Sequence, residues 1–140
     1  MPIEDLARSN VVTASADATV TELAATMAEE DVGSVVVTDG DDAVGIVTDR
    51  DLAVRVLAEE TDPSVATAGD VMSTDLQTVH RGAGFYEATE RMREYGVRRL
   101  PVVDSDDGLV GIITGDDLTE LLADEQQQFA EVIRAQRPPY

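Results

Sequence analysis

The chain has 140 residues, with 29 acidic against 10 basic side chains, a formal net charge of −19 and no cysteine. Without cysteine there is no disulfide framework, thiolate metal site or cysteine nucleophile, and no apolar run approaches the roughly 20 residues that span a bilayer. A surface this acidic repels nucleic acid and anionic membrane, so neither is an expected partner.

All ten basic residues are Arg. The acid-to-base ratio points to a salt-in halophile rather than an ordinary acidic protein, and so to the solvent rather than to a substrate. Met1-Pro2-Ile3-Glu4-Asp5 has neither a basic nor an apolar leader segment. A soluble, cytoplasmic protein is expected. At 43% hydrophobic but only 4% aromatic, the core must be filled by Val, Ile, Leu, Met and Ala.

In chain order, a strand comes first. Thr19 and Glu22 then form a capping-box pattern ahead of Val20, Leu23, Ala24 and Met27 at helical spacing. Ser34-Val35-Val36-Val37 and Val44-Gly45-Ile46-Val47 flank the turn Asp39-Gly40-Asp41-Asp42 and read as a strand pair. A helix starts at Thr48 with Leu52, Val56 and Leu57 as its apolar positions. Pro63 and Gly69 punctuate a linker, after which the same order returns. Phe85, Ala88, Thr89 and Met92 mark a helix, Leu100 to Val103 and Leu109 to Ile113 a strand pair, and Leu118, Leu121 and Leu122 a helix from Thr114.

The return is an internal repeat. Asp5 recurs as Asp70, and at the same spacing Thr13, Glu22, Met27, Val32 and Val37 recur as Thr78, Glu87, Met92, Val97 and Val102. One inserted residue, Gly108, then lengthens the spacing by one, so that Gly45-Ile46 matches Gly111-Ile112 and Asp51-Leu52 matches Asp117-Leu118. Two copies fall short of a solenoid, so a closed pseudo-symmetric pair is expected. The expected fold class is α/β (α+β), with strand-helix-strand-strand-helix domains at 1–62 and 63–122 and a helical extension and tail at 123–140. In that extension Leu121, Leu122, Glu125, Phe129, Val132 and Ile133 fall near one face, either packed on the chain's own core, free for self-association or a partner, or part of a frayed tail. Arg137-Pro138-Pro139-Tyr140 reads as a disordered end.

The best candidate site is Gly-Ile-Val-Thr-Asp-Arg-Asp at 45–51, echoed by Gly-Ile-Ile-Thr-Gly-Asp-Asp at 111–117. Both put Thr-x-x-Asp where a strand becomes a helix. Thr48 with Asp51, and Thr114 with Asp117, can be plain capping boxes. The same geometry suits a ligand, since a helix N-terminus favours phosphate and a carboxylate there can accept both hydroxyls of a ribose. Arg98 and Arg99 are either a solvated face or an anion site.

The frame Asp70-Val71-Met72-Ser73, Thr78, Val97 to Asp104 and Gly111-Ile112-Ile113-Thr114-x-x-Asp117 resembles a cystathionine-β-synthase-type (CBS) domain. The first repeat resembles it more loosely, and the likeness runs over about residues 3–122. It implies a tandem pair, a Bateman module, whose two clefts bind adenosine derivatives: AMP, ADP or ATP first, S-adenosylmethionine or NAD behind them. By position it puts Asp51 with Thr48, and Asp117 with Thr114, at ribose and phosphate. It puts Arg98 and Arg99 at phosphates, and Val11 and Leu76 beside the adenine. It also implies a homodimer and an effector protein that reads ligand occupancy. The first repeat departs from the pattern with Ala7 for Met72, Val36 for Pro101 and Gly33-Ser34 for Arg98-Arg99. The clefts are therefore expected to differ in affinity or ligand.

Other chemistries lack support. His80 is the only histidine and has no zinc-ligand spacing. The clusters Asp39 to Asp42 and Asp104 to Asp107 break the calcium-loop pattern and read as turns. No nucleophile elbow, phosphate-binding loop or dinucleotide fingerprint occurs, and adjacent Asp116 and Asp117 would diverge on a helix. A non-catalytic nucleotide sensor is expected, ahead of a structural homodimerisation module with vestigial sites and of a metal-assisted hydrolase.

The charge yields a direct test. At molar salt the Debye length falls to about 3 Å, so self-repulsion is screened. The melting temperature should climb steadily as KCl is raised from dilute buffer to the molar range. A flat profile by calorimetry would show that net charge does not limit stability.

Overall fold

Helix α1 (Val20–Glu30) starts where its capping residues put it. The Glu22 amide donates to Thr19 Oγ1 at 3.2 Å and the Thr19 amide donates to Glu22 Oε2 at 3.3 Å. Val20, Leu23 and Met27 form its buried stripe, while Ala24 faces solvent. The helix ends at Asp31 in the left-handed region (φ 53°), and its counterpart α4 (Phe85–Tyr95) ends likewise at Gly96 (φ 64°). The structure, a computed structural model, describes residues 1–138. Pro139 and Tyr140 of the expected tail lie outside it.

Each repeat builds a three-stranded sheet. Strands β1 (Thr13–Ala14), β2 (Ser34–Asp39) and β3 (Asp42–Thr48) form the first, and β4 (Val79–His80), β5 (Arg99–Val103) and β6 (Leu109–Thr114) the second. In both, the short first strand runs parallel to the central one and the last two form an antiparallel hairpin. Crossover helices α1 and α4 make the parallel connections possible. The Asp/Gly segments are turns, as expected. Asp104 Oδ1 accepts from the amides of Asp106 and Gly108, both at 2.9 Å. His80 is the last residue of β4 rather than a loop residue; its Nδ1 accepts from the Gly82 amide at 3.0 Å, which leaves Nε2–H facing Ser105 Oγ at 3.3 Å.

Each repeat's helix after its hairpin begins at the expected Thr, but the two copies diverge. The first is a single α-helical turn, α2 (Asp49–Asp51), that continues as a π-helical segment over Leu52–Leu57. In this segment Val56 is buried but Leu57 is 75% exposed, against the expectation that Leu57 packs inward. The second is one unbroken helix, here α5 (Gly115–Gln136), which joins the repeat's last helix to the extension. Leu118 is buried and Leu121 half-buried, but Leu122, Phe129, Val132 and Ile133 are exposed. The extension's apolar face is therefore not packed on the chain's own core. Among the described residues no helix is long and apolar enough to cross a membrane.

The repeats exchange their opening segments. Ile3 is fully buried in the second repeat's core with Val79, Ala88, Leu100, Val102 and Ile113. Reciprocally, Ala66, Ala68 and Val71 complete the first core around Leu23, Val35, Val37 and Val47. Backbone bonds fix both exchanges, with Ile3 donating to the Ala83 carbonyl and Ala68 to the Ala18 carbonyl, each at 2.7 Å. In the linker, Ser64 donates to Asp62 Oδ1 through its hydroxyl and its amide, which holds the Asp62 carboxyl below its ordinary range. A short helix, α3 (Ala68–Val71), then leads into the second repeat.

After each opening segment the chain bridges to the other repeat's last strand. Arg8 exchanges amide and carbonyl bonds with Ile112 at 2.9 and 3.0 Å, and Ser73 does the same with Ile46 at 3.0 and 3.3 Å. Glycine permits this approach. A Cβ on Gly45 would sit 2.5 Å from Met72 Sδ and 3.1 Å from Met72 Cβ. Gly45→Ala should therefore destabilise the protein by about 1–3 kcal/mol, an overpacking penalty readable in urea denaturation. A change no larger than about 0.5 kcal/mol, the typical reach of a surface substitution, would show that the segment yields freely.

Candidate functional site

Two clefts lie between the repeats, each built from the hairpin and helix start of one and the bridging segment and central-strand entry of the other. The first is lined by Ile46, Thr48 and Asp51 from the first repeat and by Ser73, Leu76, Gln77, Arg98 and Arg99 from the second. The second cleft is its pseudo-symmetric mate. There Ile112 and Thr114 face Arg8, Val11, Val12, Gly33 and Ser34, with Arg99 and Asp116 at the edge. Their volumes are about 150 and 390 Å³. Every expected site residue but Asp117 lines a cleft, and Asp117 sits beside the second through its partner Arg8.

Both Thr-x-x-Asp segments are capping boxes. Asp51 Oδ2 accepts from the Thr48 amide at 2.8 Å, and Thr48 Oγ1 accepts from the Asp51 amide at 3.2 Å. Asp117 Oδ2 accepts from the Thr114 amide and hydroxyl, both at 2.9 Å. Capping uses one carboxylate oxygen, and what becomes of the other separates the two sites. Asp51 Oδ1 is 3.8 Å from Arg55 Nε, an ion-pair distance too long for a hydrogen bond, and Arg55 is anchored elsewhere through Nη1 to the Val71 carbonyl at 2.8 Å. Asp117 Oδ1 accepts from Arg8 Nε and Nη2 at 3.2 and 3.1 Å. Arg8 is a partner that the sequence reading does not single out. The signal is present, since the repeat aligns Arg8 with Ser73.

The two walls opposite these carboxylates differ as well. Val36 donates its amide to the Val12 carbonyl at 3.0 Å beside the second cleft. Its counterpart Pro101 has no N–H to offer Gln77, which lines the first cleft. Arg98 is solvent-exposed, with Asp116 Oδ1 at 3.9 Å from its Nη2. Arg99 lines both clefts and passes close to Gly33, where a Cβ would fall 3.0 Å from Arg99 Nη2 and 3.2 Å from Asp49 Oδ2. Asp116 and Asp117 do diverge. Asp116 is exposed toward Arg98, and Asp117 turns in to cap the helix. Among the described residues no three His, Cys, Asp or Glu side chains are grouped to hold a metal ion.

Comparison with known proteins agrees with this architecture. The family model for the CBS domain matches residues 3–58 and 68–124. Hypoxic response protein 1 of Mycobacterium tuberculosis is 34% identical over 92% of this chain and 91% of its own length. The crystal structure of Hypoxic Response Protein I with two coordinated zinc ions superposes with a TM-score of 0.78 at 33% identity, covering 86% of this chain and 98% of that one. A CBS domain protein from Pyrobaculum aerophilum, complexed with AMP, superposes with a TM-score of 0.77 at 27% identity, covering 84% and 89%. Two matched domains, the reciprocal exchange between them and the paired clefts place the chain in the CBS domain family, as a tandem pair.

Proposed function

We propose that the chain is a non-catalytic regulatory module that binds an adenosine nucleotide of the AMP, ADP or ATP class, with the first cleft as its principal site. One observation carries this reading. Asp51 Oδ1, two arginines and an apolar shelf at Leu76 converge on one opening, and they come from both repeats. Asp51 would accept the ribose hydroxyls with Thr48 beside it. Arg98 and Arg99 would take the phosphates, and Leu76 would flank the adenine. By position, the counterparts of Thr48, Asp51 and Leu76 at the second cleft are Thr114, Asp117 and Val11. The AMP complex of the Pyrobaculum relative supports the ligand class. A ligand held by both repeats would stiffen their junction, and an effector protein would read that change.

A second reading concerns assembly. The exposed stripe Leu122, Phe129, Val132 and Ile133 along the free half of α5 favours homodimerisation through that helix.

Titration calorimetry in molar KCl with AMP, ADP, ATP, S-adenosylmethionine and NAD tests the ligand. Hydrogen bonds to a charged group contribute about 1.5–3 kcal/mol each, so Asp51→Ala should weaken nucleotide binding by at least about tenfold. Arg99→Ala should weaken AMP while leaving adenosine little changed. Unaltered nucleotide affinity in Asp51→Ala would overturn the site. For assembly, light scattering should give a dimer that Phe129→Glu converts to monomer, whereas a dimer indifferent to Phe129→Glu would place the interface elsewhere.

A further inference from the structure

The two clefts share a plan but not a state. At the first, the carboxylate oxygen not used in capping makes no hydrogen bond among the described residues. At the second, the equivalent oxygen receives two N–H groups from one guanidinium. The donor is Arg8, whose backbone is bonded on both sides to Ile112, so the side chain starts at a fixed point beside the helix N-terminus. Ser73, bridged to Ile46 in the same way, is too short to reach Asp51. The Asp117 side chain is only 9% exposed and that of Arg8 65%. Arg8 thus reaches a nearly buried carboxylate from an exposed position.

A vicinal diol recognises such a carboxylate by donating two hydrogen bonds to it. Arg8 supplies two donors to Asp117 Oδ1 already, and the Thr114 amide and hydroxyl occupy Oδ2. The opposite wall is closed in the same sense, because the Val12 carbonyl holds the Val36 amide. Space does not separate the clefts, since the second is the larger at about 390 Å³.

We propose that Arg8 is an internal occupant of the second cleft, taking the place of a ribose diol on Asp117, so that each chain binds one nucleotide and not two. Arg8 is then a specificity-determining residue. While it is seated, the second cleft rejects ligands recognised through a diol, and the guanidinium is released only when another anion competes for it. This inference rests on the nucleotide reading of the first cleft, and the experiment separates the two.

Titration calorimetry of the full chain with AMP in molar KCl measures stoichiometry. The wild type should bind one equivalent. Arg8→Ser, which copies the residue at Ser73, should add a second equivalent, Arg8→Ala should do the same, and Arg8→Ser/Asp117→Ala should lose it again. Circular dichroism checks that each variant is folded, which the exposure of the Arg8 side chain favours. Two equivalents on the wild type, or no added equivalent in either folded Arg8 variant, overturns the inference while the first cleft's reading stands. A wild type that binds no AMP overturns the first cleft's reading, and an Arg8→Ser variant that then binds one equivalent still supports the role of Arg8.

Discussion

The molecule depends on a pair of short backbone bridges. Arg8 to Ile112 and Ser73 to Ile46 tie the opening of each repeat to the last strand of the other. Neither repeat completes its core alone, because Ile3 fills the second and Ala66, Ala68 and Val71 fill the first. The clefts are the space left between a helix start and the segment bridged beside it. Gly45 and Gly111 are bare at those crossings, since a Cβ on either would meet Met72 or the Arg8 carbonyl within 3.0 Å. Gly111 allows close approach to the Arg8 backbone and Gly45 leaves room for the Met72 side chain, with no demand for unusual torsion angles.

From that constraint follows the mixed ancestry of each cleft. Asp51 and Leu76 belong to different repeats and are separated by the whole linker, yet line one opening. Arg99 belongs to the second repeat and reaches both openings over Gly33. A charge placed between two sites in this way is shared by geometry.

Much of this is legible in the sequence. The constant spacing between the copies, longer by one after Gly108, locates both sheets, both hairpins and both helix starts. A repeated order of periods is a stronger signal than any one period. The capping boxes at Thr48 and Thr114 are legible for the same reason. Three things are not. The segment after Asp51 is π-helical with Leu57 outward, and nothing in an apolar spacing distinguishes ordinary from wider winding over so short a segment. The face of α5 stays open between readings, since periodicity shows that a face is apolar without showing what covers it. The Arg8–Asp117 contact joins residues 109 apart. Alignment of the repeats exposes Arg8 as a mismatch to Ser73, but only the bridge to Ile112 shows where its side chain can reach.

The division of labour within one carboxylate has a wider bearing on how such segments are read. One oxygen of each Asp starts a helix and the other faces outward, so the residue answers to two independent demands. Removing the outward demand leaves the helix start in place, worth about 0.5–2 kcal/mol by itself. A Thr-x-x-Asp segment can therefore persist as scaffolding after its outward oxygen has been given to a neighbouring side chain. In a duplicated chain the two copies can look alike along the sequence while one faces solvent and the other faces its own protein.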